Sequence, residues 1–315
     1  MTNETFDVVV VGGGPAGLSG ATALGRARRS VAVIDAGEPR NAPAHAVHNF
    51  LTRDGTSPSE LLRLGRQEAA AYGVAFFDAR AEGAERTDDG FAVTLSTGEV
   101  VTGRRLLVTT GLVDELPEVE GLRERWGTDV LHCPYCHGWE VRDRVIGVLA
   151  TGPRALHQAL MFRQWSPTIT LLLNGQPLPT ADELELLAAR GIEVVHGRVT
   201  SLVVEDDALA GATLDDGSVR ALEALVVGAP MSVRAGLLVD LGLELVEHPM
   251  GMGQHVETDA MGATSLPGVW AAGNVTNLAG QVITSASEGL WAGARINADL
   301  TAADEREALE AYRRR

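Results

Sequence analysis

Two stretches hold the residues able to do chemistry. In the first, Cys133-Pro-Tyr-Cys136 sets two thiols at C-x-x-C spacing, with His132 before them and His137 directly after. They are the only 2 cysteines among 315 residues. A close pair in a chain opening on no export signal reads as a redox couple or a metal pair, not a structural staple. Zinc is disfavoured, and no metal is expected: His132, Cys133, Cys136 and His137 are too crowded along the chain to surround one tetrahedral ion. A redox couple works through thiolates. A thiol of pKa about 8.5 needs a base near neutral pH, and a histidine of pKa about 6.5 can collect and release that proton. Cys133, Cys136 and His137 therefore read as catalytic. The structural alternative is that His137 only caps or packs a short helix. His132 is expected to support the pair, and Pro134 stiffens the loop by removing a backbone donor.

The second stretch, Gly12-Gly-Gly14-Pro15-Ala16-Gly17, is a G-x-G-x-x-G fingerprint. Gly12 permits a tight turn, Gly14 lets backbone approach a pyrophosphate, and Gly17 lets helix and strand pack closely. The helix N-terminus attracts phosphate charge, and Asp35, 18 positions after Gly17, can accept hydrogen bonds from ribose hydroxyls. A glycine turn without a ligand is the alternative; the surrounding strand, helix and acid argue against it.

Those surroundings are legible in the pattern. Phe6–Val11 is a β-branched run suited to a buried parallel strand, Ala16–Arg28 a helix, and Ser30–Ile34 a second strand. A second βαβ unit follows about 140 residues later: strand Val145–Leu149, helix Ala155–Trp165, strand Thr168–Leu173. Further strands are expected at Glu193–His196, Val199–Glu205, Leu209–Leu214 and Ala221–Val227, and a helix over Asp182–Arg190 stopped by Gly191. The tail predicts a helix from Ser285 to Asp299, packing through Ala286, Leu290, Ala294 and Ala298, then a charged helix over Ala302–Arg315. The whole is an α/β chain with two Rossmann-like, doubly wound domains.

Composition excludes several functions. The 26 basic residues are all arginine against 42 acidic ones, a net charge of −16. With no lysine there is neither a Schiff-base lysine nor a P-loop. The negative charge argues against nucleic acid or an anionic membrane as partner. The uncharged run Val8–Gly25 contains six glycines and a proline, so it is not read as a membrane span. The acidic N-terminus, Met1–Asp7, has no basic region of a secretory signal, and a cytoplasmic protein is expected.

Taken in order, five segments resemble the low-molecular-weight thioredoxin reductases over nearly the whole chain. They are Val8–Gly17, the Thr109-Thr110-Gly111 turn before Pro117, Cys133–Cys136, Pro267–Val275 and Ile283–Gly289. The resemblance implies an FAD domain built from residues 1–115 and 248–315, interrupted by an NAD(P)-type domain over 116–247 that carries the dithiol. It also implies a homodimer. It places Arg40, Asn41, Asn49, Thr110, Gly111, Gly273, Asn274, Gln281, Val282 and Thr284 around the flavin, with His45 or His48 facing it. Asn274 stands where most members carry Asp; its amide can still hydrogen-bond a hydroxyl.

Two departures set the expected function. The family takes hydride from NADPH with a second glycine fingerprint and an arginine cluster on the 2′-phosphate. Here the fingerprint position reads Ala150-Thr-Gly-Pro-Arg-Ala155, and the cluster position reads Asn174-Gly-Gln-Pro177, with no cation before Arg190. Charge-assisted hydrogen bonds are worth about 1.5–3 kcal/mol each, so efficient NADPH use is expected to be lost. The alternative is that Arg154 or Arg163 supplies the charge. Second, His137 replaces the Asp that usually follows the second cysteine. This resembles the dithiol oxidases that close the disulfides of holomycin- and gliotoxin-type natural products. That subgroup implies a small dithiol and O2 as substrates, H2O2 as product, Cys133 as the outer sulfur and Cys136 as the flavin-facing one. The competing readings are an NAD(P)H-dependent reductase acting on thioredoxin and a non-catalytic flavoprotein.

Overall fold

The computed structural model describes Thr5–Arg315 and divides into two compact units. Met1–Glu4, the start of the acidic N-terminal segment, lie outside the described residues. The first unit contains the chain up to Ala42, Pro58–Val113 and Met231–Arg315; the second contains Pro43–Ser57 and Asp114–Pro230.

In the first unit a mixed sheet runs in the order Ala75–Asp78, Val31–Asp35, Thr5–Val11, Val100–Val108, Gly90–Leu95, Ala81–Thr87. The four strands at the Ala75–Asp78 end are mutually parallel, with Val8 opposite Val31 on one side and Arg105 on the other. Besides Thr5–Val11, the strand Val100–Val108 serves two further neighbours. Its start pairs antiparallel with Gly90–Leu95, and Leu106–Val108 pair parallel with Val269–Ala271 from the tail. Val8, Val9 and Val10 have no exposed surface, as a strand covered on both faces requires. The uncharged run read at Val8–Gly25 becomes this strand and the helix Pro15–Arg26. Among the described residues no helix is long and apolar enough to cross a membrane.

The tail differs from expectation in two ways. It forms one helix, Val282–Arg313, because nothing near Thr301 breaks it: the Thr301 hydroxyl donates back to the Asn297 carbonyl at 2.8 Å. Asp299 and Asp304 tie its far half to Arg105, Arg104 and Arg29 at 2.6–2.7 Å. Its buried face is Ser285, Gly289, Ala292, Gly293, Ile296 and Leu300, not Ala286, Leu290, Ala294 and Ala298. Helix-to-helix contact decides this. A Cβ on Gly289 would collide with the Ala16 carbonyl, and one on Gly293 would lie 2.7 Å from the Gly20 carbonyl oxygen. Glycines, more than the alanine stripe, mark the contact line.

In the second unit five parallel strands run Ile192–Val195, Ile169–Leu172, Ile146–Leu149, Ala224–Val227, Val130–Leu131. An antiparallel meander, Val199–Glu205, Ala208–Leu214 and Val219–Ala221, adjoins in sequence. The expected strand Ala221–Val227 is thus split. Leu222 N–H turns to the Ala210 carbonyl while the Glu223 carboxylate accepts from Val145 N–H at 2.8 Å.

The unit boundaries also differ from those expected. The chain returns to the first unit at Met231, not residue 248. Met231–Val233 pairs with Leu112–Asp114, and Leu237 and Leu238 enter the same core as Val9 and Val11. Pro43–Ser57, expected to remain with the fingerprint, packs with the dithiol unit.

Candidate active site

The dinucleotide cradle lies in the first unit. Gly12 has φ +107°, and a side chain on Gly17 would strike the Gly12 carbonyl, so neither position tolerates another residue. Gly14 is extended, its missing side chain faces open space, and the helix starting at Pro15 has no side-chain cap. Its first N–H groups are therefore available to an anion. Asp35 ends its strand and accepts from Gly13 N–H at 3.1 Å. Thr109, buried, donates to the Gly12 carbonyl at 2.8 Å and fixes the turn from beneath. These features fit a dinucleotide cofactor.

A second loop closes the cradle. Gly273, at φ +80°, would bring a Cβ within 2.9 Å of Ala16 Cβ. Asn274 Nδ2 donates to the Asn277 and Gly280 carbonyls at 2.9 and 2.8 Å, leaving Oδ1 to Arg40 at 3.5 Å. Glu288, in the second turn of the tail helix, accepts from Gly273 N–H at 3.0 Å and from Asn277 Nδ2 at 2.8 Å. Sequence reasoning passed over Glu288, although it lies inside the Ile283–Gly289 match. Gln281 caps that helix in extended conformation, with Val282 and Thr284 half-buried in its first turn. Thr110 donates to the Arg234 carbonyl at 2.5 Å, and Gly111 turns at φ +71°. Asn41 is half-buried beside Arg40.

The dithiol lies in the second unit. Cys133 is the extended N-cap of the short helix Pro134–His137, Cys136 is its third residue, and both are half-buried. Two hydrogen bonds close the helix: His137 N–H to the Cys133 carbonyl at 3.2 Å and Gly138 N–H to the Pro134 carbonyl at 2.7 Å. Gly138 is required, because a side chain there would strike Pro134 and the Trp165 ring. Tyr135 stands edge-on to Trp165 at 5.8 Å and, like Trp139, is exposed.

His137 is the unusual group. Both ring nitrogens are shielded from solvent and neither has a hydrogen-bond partner. Burial pushes its pKa below the ordinary value; the Glu140 charge opposes this, while His48 and His45 reinforce it. Burial thus favours the neutral imidazole over its protonated form. Asn49 Nδ2 donates to the Tyr135 carbonyl at 2.7 Å. His48 and His45 likewise belong to the dithiol unit.

The nucleotide-type edge of this unit is partly rebuilt. Arg154 sits half-buried at the start of the helix Ala155–Phe162, its pKa lowered by burial. Arg163 is committed to the Arg190 and Ser166 carbonyls at 2.8 and 3.3 Å. The lack of charge at Asn174–Pro177 needs correction in space. Because Ile169–Leu172 and Ile192–Val195 are neighbours, Arg198 reaches that turn, its Nε 3.1 Å from where a Gly175 Cβ would lie.

Residues 6–292 match the family model for pyridine nucleotide-disulphide oxidoreductases. The chain is similar to thioredoxin reductase sirT of Leptosphaeria maculans, at 33% identity over 323 residues and 95% of each chain. It is 30% identical over 319 residues to thioredoxin reductase tcpT of Claviceps purpurea, covering 95% of this chain and 97% of that one. Among solved structures, HlmI superposes with a TM-score of 0.93 at 45% identity, covering 98% of this chain and 97% of that one. An oxidoreductase from Agrobacterium tumefaciens gives 0.89 at 38%, covering 95% and 99%.

Two outcomes follow from this geometry. Asn274→Asp would set a carboxylate against two carbonyl oxygens, a loss of about 1–3 kcal/mol. The variant should purify with less flavin per protein by absorbance, and an unchanged ratio would contradict the assigned network. For His137, a folded pKa below the unfolded value of about 6.5 contributes stability above that pH and loses it as pH falls through the folded pKa. The wild-type melting temperature should fall more between about pH 7.5 and about pH 5 than that of His137→Gln. Parallel curves would show that His137 is not buried in its neutral form.

Proposed function

The chain belongs to the pyridine nucleotide-disulphide oxidoreductase family and is a flavin-dependent thiol/disulfide oxidoreductase, and from that premise we propose that it oxidises a small dithiol to its cyclic disulfide with O2 as acceptor. The balanced reaction is one dithiol plus one O2 giving one cyclic disulfide plus one H2O2. The observation that carries the reading is His137: a neutral, unpartnered imidazole one residue after Cys136.

With Cys133 and Cys136 joined, a substrate thiolate attacks Cys133 Sγ and releases Cys136 as thiolate. The second substrate thiolate attacks the sulfur now bound to Cys133, so that the cyclic disulfide leaves and Cys133 becomes a thiolate. Both substrate thiols must lose a proton, and His137 is the group placed to accept it. FAD, when bound, would supply a two-electron acceptor for the reduced pair and a route from there to oxygen. Gly12, Gly14, Gly17 and Asp35 would hold its dinucleotide, with Arg40, Asn274 and the Gln281–Thr284 turn lining the adjoining loop. The exposed rings of Tyr135 and Trp139 flank the dithiol and suit an apolar small molecule.

Reduction of a thioredoxin by NADPH is the second reading. The names of sirT and tcpT favour it, as does Arg198 at the Gly175 turn. A second copy of the chain as partner accords with the family resemblance.

With dithiothreitol as substrate, the flavin-loaded enzyme should consume oxygen and produce H2O2 in equal amounts. Cys136→Ser should stay yellow and lose at least about 99% of that rate, as removal of an attacking group does. Oxygen uptake retained by the serine variant would discard the cysteine route.

A further inference from the structure

We propose that the segment Pro43–Ser57 is a positioning element for the dithiol helix: Asn49 pins the helix through the Tyr135 carbonyl, and the sequence of contacts Glu140–His48–Asp54 sets the charge that His137 faces. The proposal rests on His137 being the proton acceptor.

The segment is built to hold two side chains still. Val47 N–H donates to the Thr56 carbonyl at 2.7 Å and Gly55 N–H to the Val47 carbonyl at 2.9 Å, closing it into a loop. Inside that loop Asn49 takes φ +60°, and its N–H donates to Asp54 Oδ1 at 2.9 Å. Those two constraints aim Asn49 Nδ2 at the Tyr135 carbonyl, 2.7 Å away. A helix of four residues leaves its last carbonyls without intrahelical donors, and a side-chain amide supplies one here.

His48 lies between two carboxylates. Its Nε2 is 3.4 Å from Glu140 Oε1, and its Nδ1 is 3.4 Å from the Asp54 carboxylate. Asp54 is itself held below the usual carboxylate range by Asn49 N–H and by His48. Glu140 follows His137 by three residues, so the ring of His48 touches the carboxylate that opposes the burial of His137. His45 from the same segment acts on His137 in the same sense as His48, and Cys133, Tyr135 and Cys136 precede His137 at the cap and in its own helix. Arg142 is engaged elsewhere, over the Trp139 ring at 4.2 Å and on the Trp139 carbonyl at 2.7 Å.

Glu140 and His48 therefore act on His137 with opposite sign. The Glu140 carboxylate favours the protonated His137 imidazole, whereas His48 disfavours it and lies against that carboxylate. A purely structural role for either residue would not produce opposed effects.

The test is a proton titration of His137 in the flavin-loaded full chain labelled with 13Cε1-histidine, its signal assigned by its loss in His137→Gln. Glu140→Gln should lower the His137 midpoint and His48→Gln should raise it, each by a few tenths of a pH unit or more. Shifts in the same direction, or none, overturn the charge assignment. For the pin, Asn49→Gly keeps the left-handed backbone and removes only the amide. Amide exchange across Cys133–Trp139 should then quicken about fivefold, as loss of one hydrogen bond implies; unchanged exchange overturns the pin. Opposed shifts in a protein that consumes no oxygen with dithiothreitol would leave the positioning intact and remove the oxidase reading. Oxygen uptake without opposed shifts would do the reverse.

Discussion

The arrangement turns on keeping one imidazole out of water. A polar ring atom shielded from solvent without a hydrogen bond costs on the order of 1–3 kcal/mol, and His137 carries two of them. What burial gives in return is an imidazole held toward its neutral form, which in the proposed reaction suits a proton acceptor, since Cys136 and Cys133 lie one and four residues before it. The local fold preserves the condition. Gly138 lets the helix press against Trp165, and Glu140 limits how far burial drives the ring from protonation.

The scaffold answers a different demand, which is close approach of backbone to backbone and to a ligand. In the first unit Gly17 against Gly12, and Gly289 against Ala16, let two helices and a strand converge on one turn. The Gly273–Gly280 loop is then tied by Asn274 and Glu288. The second unit repeats the strand–turn–helix plan but not its chemistry. Where the first has an open glycine and an acid, the second has Arg154 half-buried and Arg198 over a glycine turn. Two isolated guanidiniums are a weaker grip on a doubly charged phosphate than a clustered set, which supports the proposed entry of electrons from the thiol side.

Much of this was legible in the residues because it depends on local rules. The fingerprint with its strand, helix and Asp35, the parallel strands around Val148 and Leu171, and the C-x-x-C followed by histidine are each specified within short windows. What escaped was non-local. Nothing in the pattern placed an element between Asp35 and Thr109, although the central strand Val100–Val108 lies there beside shorter, weakly alternating strands. The tail helix was given the wrong face because alanine spacing was weighed above Gly289 and Gly293. Arg198 was invisible at Gly175 because adjacency of parallel strands, not order along the chain, brings it there. The contacts of Asn49 and His48 with Tyr135 and Glu140 were equally invisible, because the partners lie some ninety residues on.

The direction of electron flow is most directly measured by anaerobic stopped-flow absorbance of the flavin, mixing the oxidised enzyme separately with dithiothreitol and with NADPH. The account predicts rapid bleaching by the dithiol and bleaching by NADPH slower by about a hundredfold or more, the equivalent of one to two lost phosphate contacts. Rapid bleaching by NADPH, with the dithiol inert, would contradict it.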